Sequence, residues 1–236
     1  MTISETDWKN YIAKLRKIND TAAAKIQAYI DKYGVADTKG LIDYAYAIVS
    51  KYGEASAALS AQMYDAIAEL EGRYLMAAEV AEVAEYGEVA KAINGTLKVS
   101  QNAAELASAA TRFVKMAGSD TTLKNSIRDG AEFAWIPSGE TCAFCLTLAS
   151  RGWQPASKKI IKNGHAEHIH SNCDCQYAVR FNNKSTVAGY DPDKYRQMYR
   201  SADGRTPQDK INAMRRDAYA KDKETEGTNN SELIKV

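Results

Sequence analysis

The sequence predicts a mainly helical, α+β chain: an N-terminal helical bundle or long helical hairpin, then a small Cys/His module with a short β-sheet, then C-terminal helices. Three observations carry this reading. All four prolines (Pro137, Pro155, Pro192, Pro207) and all four cysteines fall after residue 136, so nothing in the first half forbids long helices. Apolar residues in that half recur at spacings of three and four, the period of one helix face. After Gly130 the composition changes, as Ala131-Glu-Phe-Ala-Trp-Ile-Pro137 mixes aromatics with turn formers.

Taken in order, Trp8, Tyr11, Ile12, Leu15 and Ile18 share one face of a first helix. Asp20 is a candidate cap for a second, with the stripe Ile26, Tyr29, Ile30 and Tyr33 and a stop at Gly34. A third helix fits Leu41 to Tyr52, ending at Gly53, and a long alanine-rich fourth fits Ala55 to about Tyr86. Its alanines predict close helix–helix approach. Glu79, Glu82, Glu85 and Glu88 would then recur along one solvated helix face. A fifth helix is expected from Leu97 to Met116 and a sixth from Thr122 to Arg128. Gln176 to Phe181 alternates and is β-prone, hence a strand. Tyr195, Met198 and Tyr199, then Ile211, Met214 and Tyr219, predict two short helices split by Ser201 to Pro207. Glu224 to Asn230 is polar and reads as a frayed tail. The resulting division is 1–130 for the helical part, 131–190 for the Cys/His module and 191–236 for a basic helical segment.

Composition narrows the function. The formal charge is only +1, so the molecule as a whole has no strong attraction to nucleic acid or membrane. No run of about 20 apolar residues occurs, and the start lacks the pattern of a signal peptide, which together predict a protein made in a reducing cytoplasm. There, clustered cysteines are metal ligands or catalysts more often than disulfides.

Every cysteine and histidine lies between Cys142 and Cys175. Cys142-Ala-Phe-Cys145 has the two-residue gap that lets both sulfurs of one turn reach a tetrahedral zinc ion, and a helix start there favours thiolate. The second pair comes from His170-x-x-Cys173-x-Cys175, with His165 and His168 as competitors. The preferred set is Cys142, Cys145, His170 and either Cys175 or Cys173, a neighbouring histidine supporting a ligand. Four protein ligands leave no open position, so the predicted Zn2+ is structural and no catalytic residue is assigned. The same residues admit two enzymatic alternatives. His165-Ala-Glu167 matches the H-x-E of zinc deaminases, but here the Cys-x-x-Cys precedes it. Cys142 with His168 or His170 as base would suit a cysteine protease, yet four neighbouring thiols fit one nucleophile poorly.

The run Ala134-Trp-Ile-Pro-Ser-Gly-Glu-Thr-Cys-Ala-Phe-Cys-Leu-Thr-Leu-Ala-Ser-Arg-Gly-Trp153, with Gly164-His-Ala-Glu-His-Ile-His-Ser-Asn-Cys-Asp-Cys-Gln-Tyr-Ala-Val-Arg-Phe181 and Ala188-Gly-Tyr-Asp-Pro-Asp-Lys-Tyr195, resembles the minor head proteins of tailed phages. These form the Mu protein F-like group and its relatives in phages and prophages of Gram-positive bacteria. The shared pattern is Cys-x-x-Cys, an insert, then His-x-x-Cys-x-Cys, and the likeness covers roughly residues 85 to 220. Asp174 departs from it, standing where many relatives carry Arg. The resemblance implies a virion protein of head morphogenesis, at the portal vertex or capsid interior. Its expected partners are portal protein or major capsid protein, with self-association through helices and a weak DNA contact. A capsid-maturation protease or zinc-dependent hydrolase is the alternative. Independently, Lys194 to Lys223 holds nine Lys or Arg against four Asp or Glu, interleaved with tyrosines, a pattern that suits phosphates or an acidic protein face.

Overall fold

The structure, a computed structural model, describes residues 2–138, 142–158 and 175–217. Three long helices dominate: α1 (Glu5–Tyr33), α2 (Thr38–Leu70) and, after the shorter α3 (Tyr86–Leu97), α4 (Ala103–Asp129). The antiparallel sheet has the order β3-β2-β4, built from β2 (Glu132–Ile136), β3 (Gln154–Pro155) and β4 (Gln176–Arg180). Between β2 and β3 lies α5 (Ala143–Ala149). A parallel two-stranded pair joins β1 (Thr2–Ile3) to β5 (Thr186–Val187), and α6 (Pro192–Ser201) is followed by helical residues 207–217. The fold is mainly helical α+β, as the sequence predicts. Among the described residues no helix is long and apolar enough to cross a membrane.

The helix boundaries differ from the sequence reading in an instructive way. α1 is one helix, not two: Asp20 is exposed and caps nothing, because Trp8, Ile12, Leu15, Ala22, Ile26 and Ile30 form one unbroken buried stripe. α2 runs straight through Gly53 instead of ending there. Gly53 is buried, and a Cβ on it would come within 2.9 Å of Val83 Cγ1, so this glycine serves close packing. The true stop is Gly72, left-handed at φ 67°. Arg73 N–H donates to Ala68 O at 2.8 Å and Gly72 N–H to Glu69 O at 2.9 Å, the paired bonds of a Schellman motif. The long fourth helix to Tyr86 therefore does not exist. Residues 73–85 form an extended strap, α3 begins at Tyr86, and its N-cap Glu85 makes a reciprocal capping box with Glu88.

α4 likewise joins what the sequence divides into two. The run Gly118-Ser-Asp-Thr-Thr122 has weak helix propensity, but its small side chains are what the interior requires. A Cβ on Gly118 would lie 2.7 Å from Ser56 Oγ and 2.8 Å from Ser60 Oγ, so the α2 and α4 backbones meet at close range there. Thr121, Thr122 and Ser126 satisfy their hydroxyls on carbonyls one turn back.

The core has two parts. At one end α1, α2, α3 and α4 bury Ile26, Leu41, Val49, Ile93 and Leu106, each contributing about 1.5–3 kcal/mol of hydrophobic stabilisation. At the other end Trp8, Tyr11, Leu15, Tyr64 and Ile67 pack directly on Phe133, Trp135, Tyr177 and Val179 of the sheet. Residue 130, where the composition changes, is the left-handed glycine that ends α4 and releases the chain into β2.

Candidate metal centre and the strap

Cys142 is the N-cap residue of α5, with extended backbone (φ −67°, ψ 155°), and Cys145 lies one turn further on. The expected helix start is therefore present, with Cys142 as its cap residue. Cys175 directly precedes β4, which is registered on β2 through Gln176↔Ile136 and Tyr177↔Trp135. Cys145 and Cys175 are buried and Cys142 half-buried, all against the sheet end of the core. No disulfide joins the three to one another, and each takes part in a polar, aromatic or electrostatic interaction.

His165, His168, His170 and Cys173 lie outside the described residues, as does the His165-Ala-Glu167 motif. Among the described residues no group of three or more His, Cys, Asp or Glu is placed to hold one metal ion. Cys142, Cys145 and Cys175 thus do not complete a centre by themselves. The Cys142/Cys145 pair fits half of one: two sulfurs one turn apart at a helix start, beside buried polar atoms. Trp135 Nε1 and Tyr177 OH find no hydrogen-bond partner among the described residues. The Tyr177 hydroxyl is pushed well above the usual phenol range, first by burial and then by nearby Asp120 and Cys145.

Around this corner the sheet is locked by Arg180. Its Nε donates to Glu132 Oε2 at 2.6 Å across the β2–β4 pair, and its guanidinium lies 4.7 Å above the Trp153 ring. Tyr190 OH donates to Ala149 O at 2.9 Å, tying the loop after β5 to the end of α5. A cavity of 360 Å³ opens between the first turns of α1 and this corner, lined by Trp8, Ile12, Ile136, Tyr190 and Tyr195, with Lys9 among its charged residues.

The strap is a second feature, and sequence reasoning missed it. Its backbone is hydrogen-bonded to side chains of α2 and α4 rather than to a strand. Asn125 Oδ1 accepts from Glu79 N–H at 2.9 Å while Asn125 Nδ2 donates to Glu79 O at 2.8 Å. Ala81 N–H donates to Thr121 Oγ1 and Ala78 N–H to Asp65 Oδ1. Arg128 donates to the carbonyls of Met76 and Ala77. Glu79, Glu82 and Glu85 consequently project from an extended chain, not from a helix face.

The basic C-terminal segment is also less free than its charge count implies. Lys210 Nζ donates to the carbonyls of Tyr199, Arg200 and Ala202, closing the end of α6, and Arg196 pairs with Asp193. Lys194, Arg200, Arg205, Arg215 and Arg216 are exposed. Residues 218–223 lie outside the described residues.

These features define a helical bundle whose one end is closed by a small sheet bearing a cysteine turn. The chain belongs to the VG15 protein family, a family of viral and phage gene proteins, which it matches over residues 2–202. That match runs from β1 into the end of α6 and includes the cysteine turn. None of the curated proteins and none of the solved structures matches the chain significantly.

Proposed function

We propose that this phage protein is a minor capsid, head-morphogenesis component of the virion: a structural protein, not an enzyme, that joins portal or major capsid protein through its helical half. The observation that carries the reading is the family match over residues 2–202, which spans bundle and cysteine module together. The architecture supports an assembly role, because the bundle and the sheet share one core, and an element docked on one is rigidly held to the other. A single structural zinc would be held by Cys142, Cys145, His170 and either Cys175 or Cys173. It would cross-link the α5 turn to the segment entering β4 and supply folding energy there. The exposed cations Lys194, Arg200, Arg205, Arg215 and Arg216 support a weak, salt-sensitive contact with packaged DNA.

The test has two arms. Purified virions analysed by quantitative mass spectrometry should contain the protein in few copies, and its absence from virions would overturn the structural role. Protein purified under reducing conditions should release about one zinc per chain in acid, lost in Cys142→Ser and Cys145→Ser. Zinc near zero in the wild type would remove the metal while leaving the virion result standing.

A further inference from the structure

The bundle carries two surfaces whose chemistry is complementary and which cannot meet within one molecule. The first is the strap with the end of α2. From Asp65 to Glu88 there are seven acidic residues and one basic one, Arg73; Glu79 is paired with Lys124 of α4, and Asp65 and Glu71 accept backbone N–H bonds, so the outward negative charge rests on Glu69, Glu82, Glu85 and Glu88. Glu82, Glu85 and Glu88 are exposed, and so are large apolar side chains: Leu70, Tyr74, Met76 and Val80. Tyr74 is fully exposed. An extended segment whose backbone is already latched beneath it, yet which turns tyrosine, methionine and valine to water, is an unusual surface for an isolated protein.

The second surface is an open groove of 490 Å³ between α1 and α2. Its apolar floor includes Ile18, Tyr52, Ala58 and Leu59, and its charged residues are Lys14 and Lys17. The neighbouring anions Asp20 and Glu54 do not line it. At about 100° per residue, Gln62 in the groove stands roughly 180° around α2 from Gly53, the residue that touches strap residue Val83. Groove and strap thus occupy opposite sides of the same helix, and the strap is held to α4 by Asn125, Thr121 and Arg128.

We infer that the lysine-rimmed α1/α2 groove of one copy receives the acidic, apolar strap of a second copy, so that the protein self-associates head to tail. Opposite charge on the two surfaces steers the encounter, and insertion of the strap's exposed apolar side chains into the groove holds it. A contact between two different patches is heterologous and leaves a free groove and a free strap at its ends, the condition for rings or chains. The inference does not depend on the zinc or on the portal as partner.

Sedimentation velocity of the full chain tests it with two variants confined to exposed positions. Lys14→Glu/Ala58→Glu blocks the groove, and Tyr74→Ser/Glu82→Lys disables the strap. Wild type should associate with rising concentration, more weakly at high salt, and each variant alone should associate at least about tenfold less tightly. An equimolar mixture should then form a 1:1 heterodimer, since one variant retains its strap and the other its groove. That mixture is also the folding control, because only folded partners pair. Wild type that stays monomeric to about 100 μM, variants that associate like wild type, or a mixture that stays monomeric would each overturn the inference.

Discussion

Replacing Asn125 by alanine should open the strap while leaving the bundle folded. Asn125 is completely buried and gives the strap two bonds, from its Oδ1 to Glu79 N–H at 2.9 Å and from its Nδ2 to Glu79 O at 2.8 Å. A third bond, to Thr121 O at 2.7 Å, stays within α4. Losing two net hydrogen bonds costs about 0.5–1.5 kcal/mol each, and a buried group left unpaired costs about 1–3 kcal/mol. Because Glu79 is exposed, water can reach part of the freed backbone, which sets the local loss at about 2–3 kcal/mol. At about 1.4 kcal/mol per factor of ten, the Glu79 amide should exchange with solvent some 30- to 150-fold faster than in wild type. The assay is native-state hydrogen exchange read by mass spectrometry or NMR, with Thr121→Val, which removes a single strap bond, that to Ala81, along with the hydroxyl's own bond to Ala117 O, as a milder companion. Equal protection of Glu79 in wild type and Asn125→Ala would refute the latch. A uniform loss of protection across α1 and α2 would refute its local character.

Asp120→Asn should stabilise the protein near neutral pH. Burial, with a smaller push from Glu88, raises the Asp120 carboxyl to about 6, so the folded state holds its proton more tightly than the unfolded state. Wild-type stability should therefore fall as pH rises from about 4 to about 6 and level off above that, by at most about 3 kcal/mol from this group. Urea midpoints across that range should show a flatter profile in the variant. Gly118→Ala should lower stability by about 1–3 kcal/mol despite alanine's better helix propensity, because its methyl meets Ser56 and Ser60. A variant at least as stable as wild type in thermal melts would show that the two helices separate easily. Arg180→Ala should cost about 2–3 kcal/mol by leaving Glu132 without its ion pair and Trp153 without its cation, and denaturant titration measures it.

Much of the fold was legible in the amino-acid order. The apolar faces of α1, though read as two helices, the strand after Cys175, the two short helices after Asp191 and the change of character at Gly130 all follow from periodicity and turn chemistry. The strap was not legible, because Ala77, Ala78, Ala81 and Ala84 suit a helix. What holds this stretch extended is tertiary: α4 side chains 40 or more residues away, with Asp65 of α2 13 residues away, supply its hydrogen bonds. One local sign was available in Glu71-Gly72-Arg73, where a glycine follows a helical run, but Gly53 offered the same sign and has a different purpose. Likewise the polar run through Gly118 looks like a break until its partners Ser56 and Ser60 are known. At the cysteine module, spacing correctly put a helix start at Cys142. Lys210, counted as a free cation, instead closes the end of α6 on three carbonyls no spacing rule would assign to it.

The parallel pairing of Thr2 with Thr186 and Ile3 with Val187 has a temporal consequence. β1 waits for a partner synthesised about 180 residues later, roughly 10–40 s at ordinary elongation rates. Closing so long a loop costs entropy that local helices do not. The bundle is thus free to assemble during synthesis, before the β1–β5 clasp can close.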